Sequence, residues 1–98
     1  MPKATLLVIQ GADQGLRFEL DGGEVTLGRG ALNPIRLRDD EVSRTHASIV
    51  FDALAGGFVL TDRKSSNGTI VNGEAIQTRK LVNGDQGTTG VPAFLFQG

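Results

Sequence analysis

The sequence predicts an all-β fold, a sandwich or a barrel. Three observations carry the prediction. Apolar residues recur with period two in short runs rich in Val, Ile, Leu and Phe. Gly-rich and Asn-Gly signals separate the runs, and Asn-Gly supplies the positive φ angles that two-residue hairpin turns need. No window holds a helical three-four repeat of useful length with caps.

Taken in order, residues 5–10 form an apolar strand core. Residues 16–20 alternate, with Leu16, Phe18 and Leu20 on one face and Arg17 and Glu19 on the other. Beyond Asp21-Gly22-Gly23, residues 25–27 repeat the pattern through Val25 and Leu27, and residues 35–37 alternate around Arg36. Residues 47–51 and 58–61 are β-branched or aromatic runs on either side of Gly56-Gly57. Ile70-Val71 and Ala75-Ile76 flank Asn72-Gly73, the clearest hairpin in the chain. Leu81-Val82, the Asn83-Gly84 turn and residues 94–96 complete the series. The sum is roughly ten short strands, the spacing of a sandwich or barrel.

At 98 residues the chain is one small domain, because single cores typically take about 100–150 residues. No linker, repeat or low-complexity tract divides it. Residues 1–98 therefore read as a single domain, and the Met start is compatible with the N-terminal module of a longer protein. A composition 39% hydrophobic and 21% charged belongs to a globular domain, not a disordered tail. A net charge of −1 gives no field that gathers nucleic acid or anionic lipid. The absence of Cys excludes disulfides, zinc thiolates and a cysteine nucleophile, and a single His excludes multi-histidine metal sites. With no Trp or Tyr, a stacking platform for single strands is not expected. The N-terminus has neither the length of a membrane span nor a signal-peptide cleavage site. The expectation is a cytoplasmic monomer with no metal, no cofactor, and neither nucleic acid nor membrane as partner.

Enzyme chemistry finds little to work with. A hydrolytic triad needs a nucleophile, a base and an orienting group. His46, three residues after Ser43 and beside an apolar run, reads better as a structural hydrogen-bonder than as a base. Asp39, Asp40, Glu41, Asp62 and Asp85 lie in or beside turns, with nothing to pair two of them across a cleft. Gly28-Arg29-Gly30 is too short for a dinucleotide fingerprint and precedes no helix. Gly87-Thr88-Thr89-Gly90 has the spacing of a nucleic-acid clamp loop but lacks the flanking helices.

What remains is a polar set confined to three loops: Gly28-Arg29, then Ser43-Arg44-Thr45-His46, then Ser65-Ser66-Asn67-Gly68-Thr69. Binding loops on a rigid sandwich are where function usually resides. Two arginines, several hydroxyls and an amide suit a phosphate, because guanidinium offers a planar fork of donors to its oxygens. Taken singly, Arg29 reads as a surface charge and Asn67-Gly68 as a turn. Together, in this order, the three segments point to an anion site.

The segments LGRG, VSRTHASI and DRKSSNGTIVNG resemble the motifs of forkhead-associated (FHA) domains. LLVIQGADQGLRFEL and LVNGDQGTTG resemble that family's first hairpin and last turn, so the likeness covers nearly the whole chain. It implies a two-sheet β-sandwich of about eleven strands, with peptide-binding loops at one end. It also implies a non-catalytic signalling module that binds phosphothreonine proteins made by a Ser/Thr kinase, a phosphothreonine within the same full-length chain included. Residue by residue, Gly28 matches the glycine that turns the chain before Arg29, and Arg29 the arginine that supports the phosphate and the peptide backbone. Ser43, Arg44 and Ser66 match positions that contact the phosphate. Asn67 matches the asparagine that hydrogen-bonds the peptide main chain. His46 matches a histidine that braces the loops from inside. Asp62, Ser65, Gly68 and Thr69 match positions that stabilise the third loop. The alternative is a phosphate-independent interaction or assembly module on the same fold, against which the presence of Arg29, Ser43, Arg44 and Asn67 argues.

Three departures from the family pattern carry expectations. Gly87 and Thr88 stand where an apolar strand residue is usual, so an irregular final hairpin is expected. Pro34, after Asn33, is expected to stiffen its loop. Glu41, near Asp39 and Asp40, is expected either to disfavour acidic peptide residues three positions after the phosphothreonine or simply to face water.

Overall fold

Residues 3–98 are described by a computed structural model. The period-two pattern becomes eleven strands: β1 (Ala4–Gln10), β2 (Arg17–Leu20), β3 (Val25–Gly28), β4 (Ile35–Arg36), β5 (Ala47–Asp52), β6 (Gly57–Asp62), β7 (Thr69–Val71), β8 (Glu74–Ile76), β9 (Thr78–Lys80), β10 (Gln86–Thr88) and β11 (Ala93–Gln97). One sheet has six strands in the order β2-β1-β11-β10-β7-β8, the other five in the order β4-β3-β5-β6-β9. All pairs with recorded register are antiparallel except β3 with β4, where Leu27 lies beside Ile35.

Alternation decides which face is buried. Along β1, Ala4, Leu6 and Val8 are buried and join Phe94 and Phe96 of β11, Leu27 of β3, Ile49 of β5 and Leu60 of β6 in one core. Phe58 bridges the sheets, its ring meeting Phe51 edge-on at 5.5 Å and Phe96 at 5.9 Å. The first and last strands lie side by side, from Thr5 opposite Gln97 to Gln10 opposite Ala93. At the expected hairpin, Asn72 (φ 51°) and Gly73 (φ 87°) make the turn between β7 and β8.

Two strand expectations are corrected. Leu81-Val82 is not a strand: the Val82 N–H donates to the Asp85 carboxylate at 2.9 Å, closing a turn, while the ladder runs through Thr78–Lys80 against β6. The final hairpin is regular, with Gln86, Gly87 and Thr88 opposite Leu95, Phe94 and Ala93. Gly87 belongs in that strand because the Phe94 ring fills the space above it. A Cβ there would lie 2.3 Å from the ring. Leu16 also departs from its expected face, being 45% exposed just before β2.

Candidate functional site

The β3–β4, β4–β5 and β6–β7 loops are tied into one surface. Crossing comes first. A Cβ at Gly28 would sit 2.2 Å from the Arg44 carbonyl oxygen, so only glycine lets the first two loops pass. Backbone bonds then zip them: Arg29 N–H to Ser43 O and Gly30 N–H to Arg44 O, both at 3.0 Å, and His46 N–H to Leu27 O at 2.8 Å. The Arg44 stem runs over Gly30, whose added Cβ would meet Arg44 Cγ at 2.8 Å.

His46 has 0% exposure and joins the second loop to the third. Its Nδ1 accepts the Ser43 N–H at 3.1 Å, and Nε2–H donates to Gly68 O at 2.8 Å, which assigns the neutral Nε2–H tautomer. Asp62, at the end of β6, organises the third loop. Its carboxylate accepts the Ser65 N–H at 3.2 Å, the Ser65 hydroxyl, and the Thr69 hydroxyl at 2.7 Å. Burial pushes this carboxyl up, but the Ser65 and Thr69 hydroxyls and the Ser65 N–H outweigh it and hold the group below its ordinary value of 3.8.

The residues expected to bind are brought together in two adjoining sets. In one, the Ser66 N–H donates to Ser43 Oγ at 2.9 Å, and Asn67 Nδ2 donates to Glu41 O at 2.6 Å and Glu41 Oε2 at 3.0 Å. In the other, Arg29 Nε donates to Val42 O at 3.1 Å, and Arg44 lies across Gly30. Arg29, Arg44, Ser66 and Asn67 are exposed. Neither arginine is in the three ion pairs of the described residues, which join Arg38 to Asp13, Arg63 to Glu24 and Arg79 to Asp85. The surface thus holds two arginines outside the ion pairs of the described residues beside hydroxyl and amide donors, with the Glu41 carboxylate against Asn67, and the arginines and donors suit an anion. With both ring nitrogens committed, His46 is not a free base.

Sequence reasoning missed Asn33. Its side chain is buried, and Nδ2 donates to Gly30 O at 2.8 Å and Arg44 O at 2.7 Å, locking the loop crossing. Asn-Pro hinted at a special turn, but nothing in it named the distant carbonyl. It also missed the contact between Glu41 and Asn67, which no spacing rule supplies.

A family model described as FHA domain matches residues 25–86. The glycogen accumulation regulator GarA of Mycolicibacterium smegmatis is 41% identical over 83 residues, covering 85% of this chain and 51% of that protein. The chain spans about half the length of the first curated relatives it matches. A structure from an analysis of phosphothreonine-dependent FHA domain interactions superposes with a TM-score of 0.88 at 32% identity, covering 99% of this chain and 97% of that one. Mycobacterium tuberculosis EmbR in complex with a low affinity phosphopeptide matches with a TM-score of 0.84 at 33% identity, over 97% of this chain and 24% of that one.

Proposed function

The chain belongs to the FHA domain family, and from that premise we propose that it is a non-catalytic reader of threonine phosphorylation. One observation carries the reading. Ser43 Oγ uses an acceptor position for the Ser66 N–H, which leaves its O–H free to donate in a segment that continues into Arg44 and accepts the Arg29 N–H, two arginines outside the ion pairs of the described residues. A phosphothreonine brings nearly two negative charges and three acceptor oxygens to such a place.

Arg29 and Arg44 offset desolvation of the phosphate, and Ser43 and Ser66 complete its hydrogen bonds. Asn67 holds the extended peptide by its main chain. Gly28, His46, Asp62, Ser65, Gly68 and Thr69 hold the loops in register. The threonine γ-methyl, buried in a small pocket, favours phosphothreonine over phosphoserine by about tenfold, the worth of one buried methyl with a residual void. The likeness to EmbR bound to a phosphopeptide supports this choice of ligand. Among the described residues no helix is long and apolar enough to cross a membrane. The module acts in the cytoplasm, on the products of a Ser/Thr kinase.

The test is calorimetric titration with a degenerate phosphothreonine library, its phosphoserine and unphosphorylated counterparts, and an Arg29→Ala control. Binding to phosphothreonine alone, weakened about tenfold or more in the variant, is the expected result. A folded domain that binds no phosphopeptide would overturn the reading and favour the phosphate-independent assembly module.

A further inference from the structure

Beside the loops lies a concavity of about 510 Å³ lined by Thr26, Arg29, Asn33, Arg36, Arg44 and Thr45 among others. Ser43, Ser66 and Asn67 are not in its wall. Three guanidinium-bearing residues therefore share one hollow, and among the described residues no carboxylate residue lines it. None of the three is in an ion pair of the described residues. Arg36 sits on the short edge strand β4, outside the set already assigned, and its Nε donates to Arg29 O at 3.3 Å. The Asn33 brace fixes the floor between Gly30 and Arg44.

Three clustered like charges repel one another, a cost that an anion removes. Arg29 and Arg44 line the hollow, and the Arg29 N–H donates to Ser43 O in the segment that Arg44 continues, so the hollow adjoins the phosphothreonine surface. We propose that this hollow is a second anion subsite, with Arg36 as its own residue, and that it selects peptides bearing a second phosphate or a carboxylate near the phosphothreonine. The proposal rests on the phosphothreonine reading above and adds to it the class of ligand preferred.

Fluorescence anisotropy tests it with a fixed phosphothreonine peptide in which a single Ala is replaced by Glu or phosphoserine at each of the neighbouring positions on both sides. One register is expected to gain about fivefold from Glu and more from phosphoserine, the size of a partly exposed charge-assisted contact. Arg36→Gln should abolish that gain while leaving the singly phosphorylated Ala peptide bound as before. Arg36→Lys should restore part of it. Lys80→Gln, which removes the same charge from β9, should leave the gain intact and so separate a local contact from long-range attraction. Thermal melts check that each variant is folded. No gain in any register, or a gain that survives Arg36→Gln, would overturn the subsite while leaving the phosphothreonine reading standing. Failure of the folded wild-type domain to bind even the Ala phosphopeptide would overturn both.

Discussion

Asn67 donates from one nitrogen to both the main-chain oxygen and the carboxylate of Glu41. A peptide that is to be held by Asn67 must compete with that carboxylate, whose charge also opposes an incoming phosphate. Glu41→Gln is therefore expected to raise phosphopeptide affinity by about two- to fivefold, the worth of an exposed charged contact, and to relax any bias against acidic residues after the phosphothreonine. Calorimetry on the two proteins checks this, and an unchanged or weakened affinity would sink it. Asp62 offers a different single-residue test. Its folded pKa is lowered, so its stabilisation is complete above the ordinary value of 3.8 and drains away as the pH falls through the lower folded value. Asp62→Asn should cost about 1 kcal/mol at neutral pH through weakened hydrogen bonds to Ser65 and Thr69. The urea midpoints of the two proteins should then converge as the pH is taken well below 3.8.

Strand β10 is shaped by one contact. Because a Cβ at Gly87 would lie 2.3 Å from the Phe94 ring, Gly87→Ala should destabilise by about 2 kcal/mol, in the range of core overpacking. Phe94→Leu in the same chain should recover part of that loss, and a double-mutant cycle of denaturation midpoints measures the coupling. The same contact explains why this strand was hard to read. Gln86-Gly87-Thr88 carries no apolar signal, since its inward position is filled by a ring from the neighbouring strand. Thr78–Lys80 was equally silent, a polar edge strand whose neighbour Leu81 drew the strand reading past its true end. The apolar, β-branched and aromatic runs of β1, β5 and β6 were legible, as were the alternating β2 and β3 and the Asn72-Gly73 turn. The order of the three loops was legible too, because it lies along the chain. Asn33 and Arg36 were not, because their partners and neighbours come from loops crossing in space.

On the scale of the molecule, every loop of the candidate site hangs from the five-stranded sheet or from its passage into the other. The six-stranded sheet holds β1 beside β11, with Thr5 opposite Gln97. Paired strands place such residues only about 5 Å apart. The two edges of the described domain, Thr5 and Gln97, thus lie side by side. A linker of about five Gly and Ser residues suffices to join the ends. A new break then belongs between Leu54, which is fully exposed, and Ala55, in the turn between β5 and β6. This circular permutant is expected to unfold in one cooperative transition and to bind phosphopeptide within about threefold of the parent, since no loop of the site is cut. A permutant that melts without cooperativity would show that β5 and β6 must be joined through their own turn for the sheets to assemble. The sandwich would then depend on which strands lie side by side and not on which of them comes first.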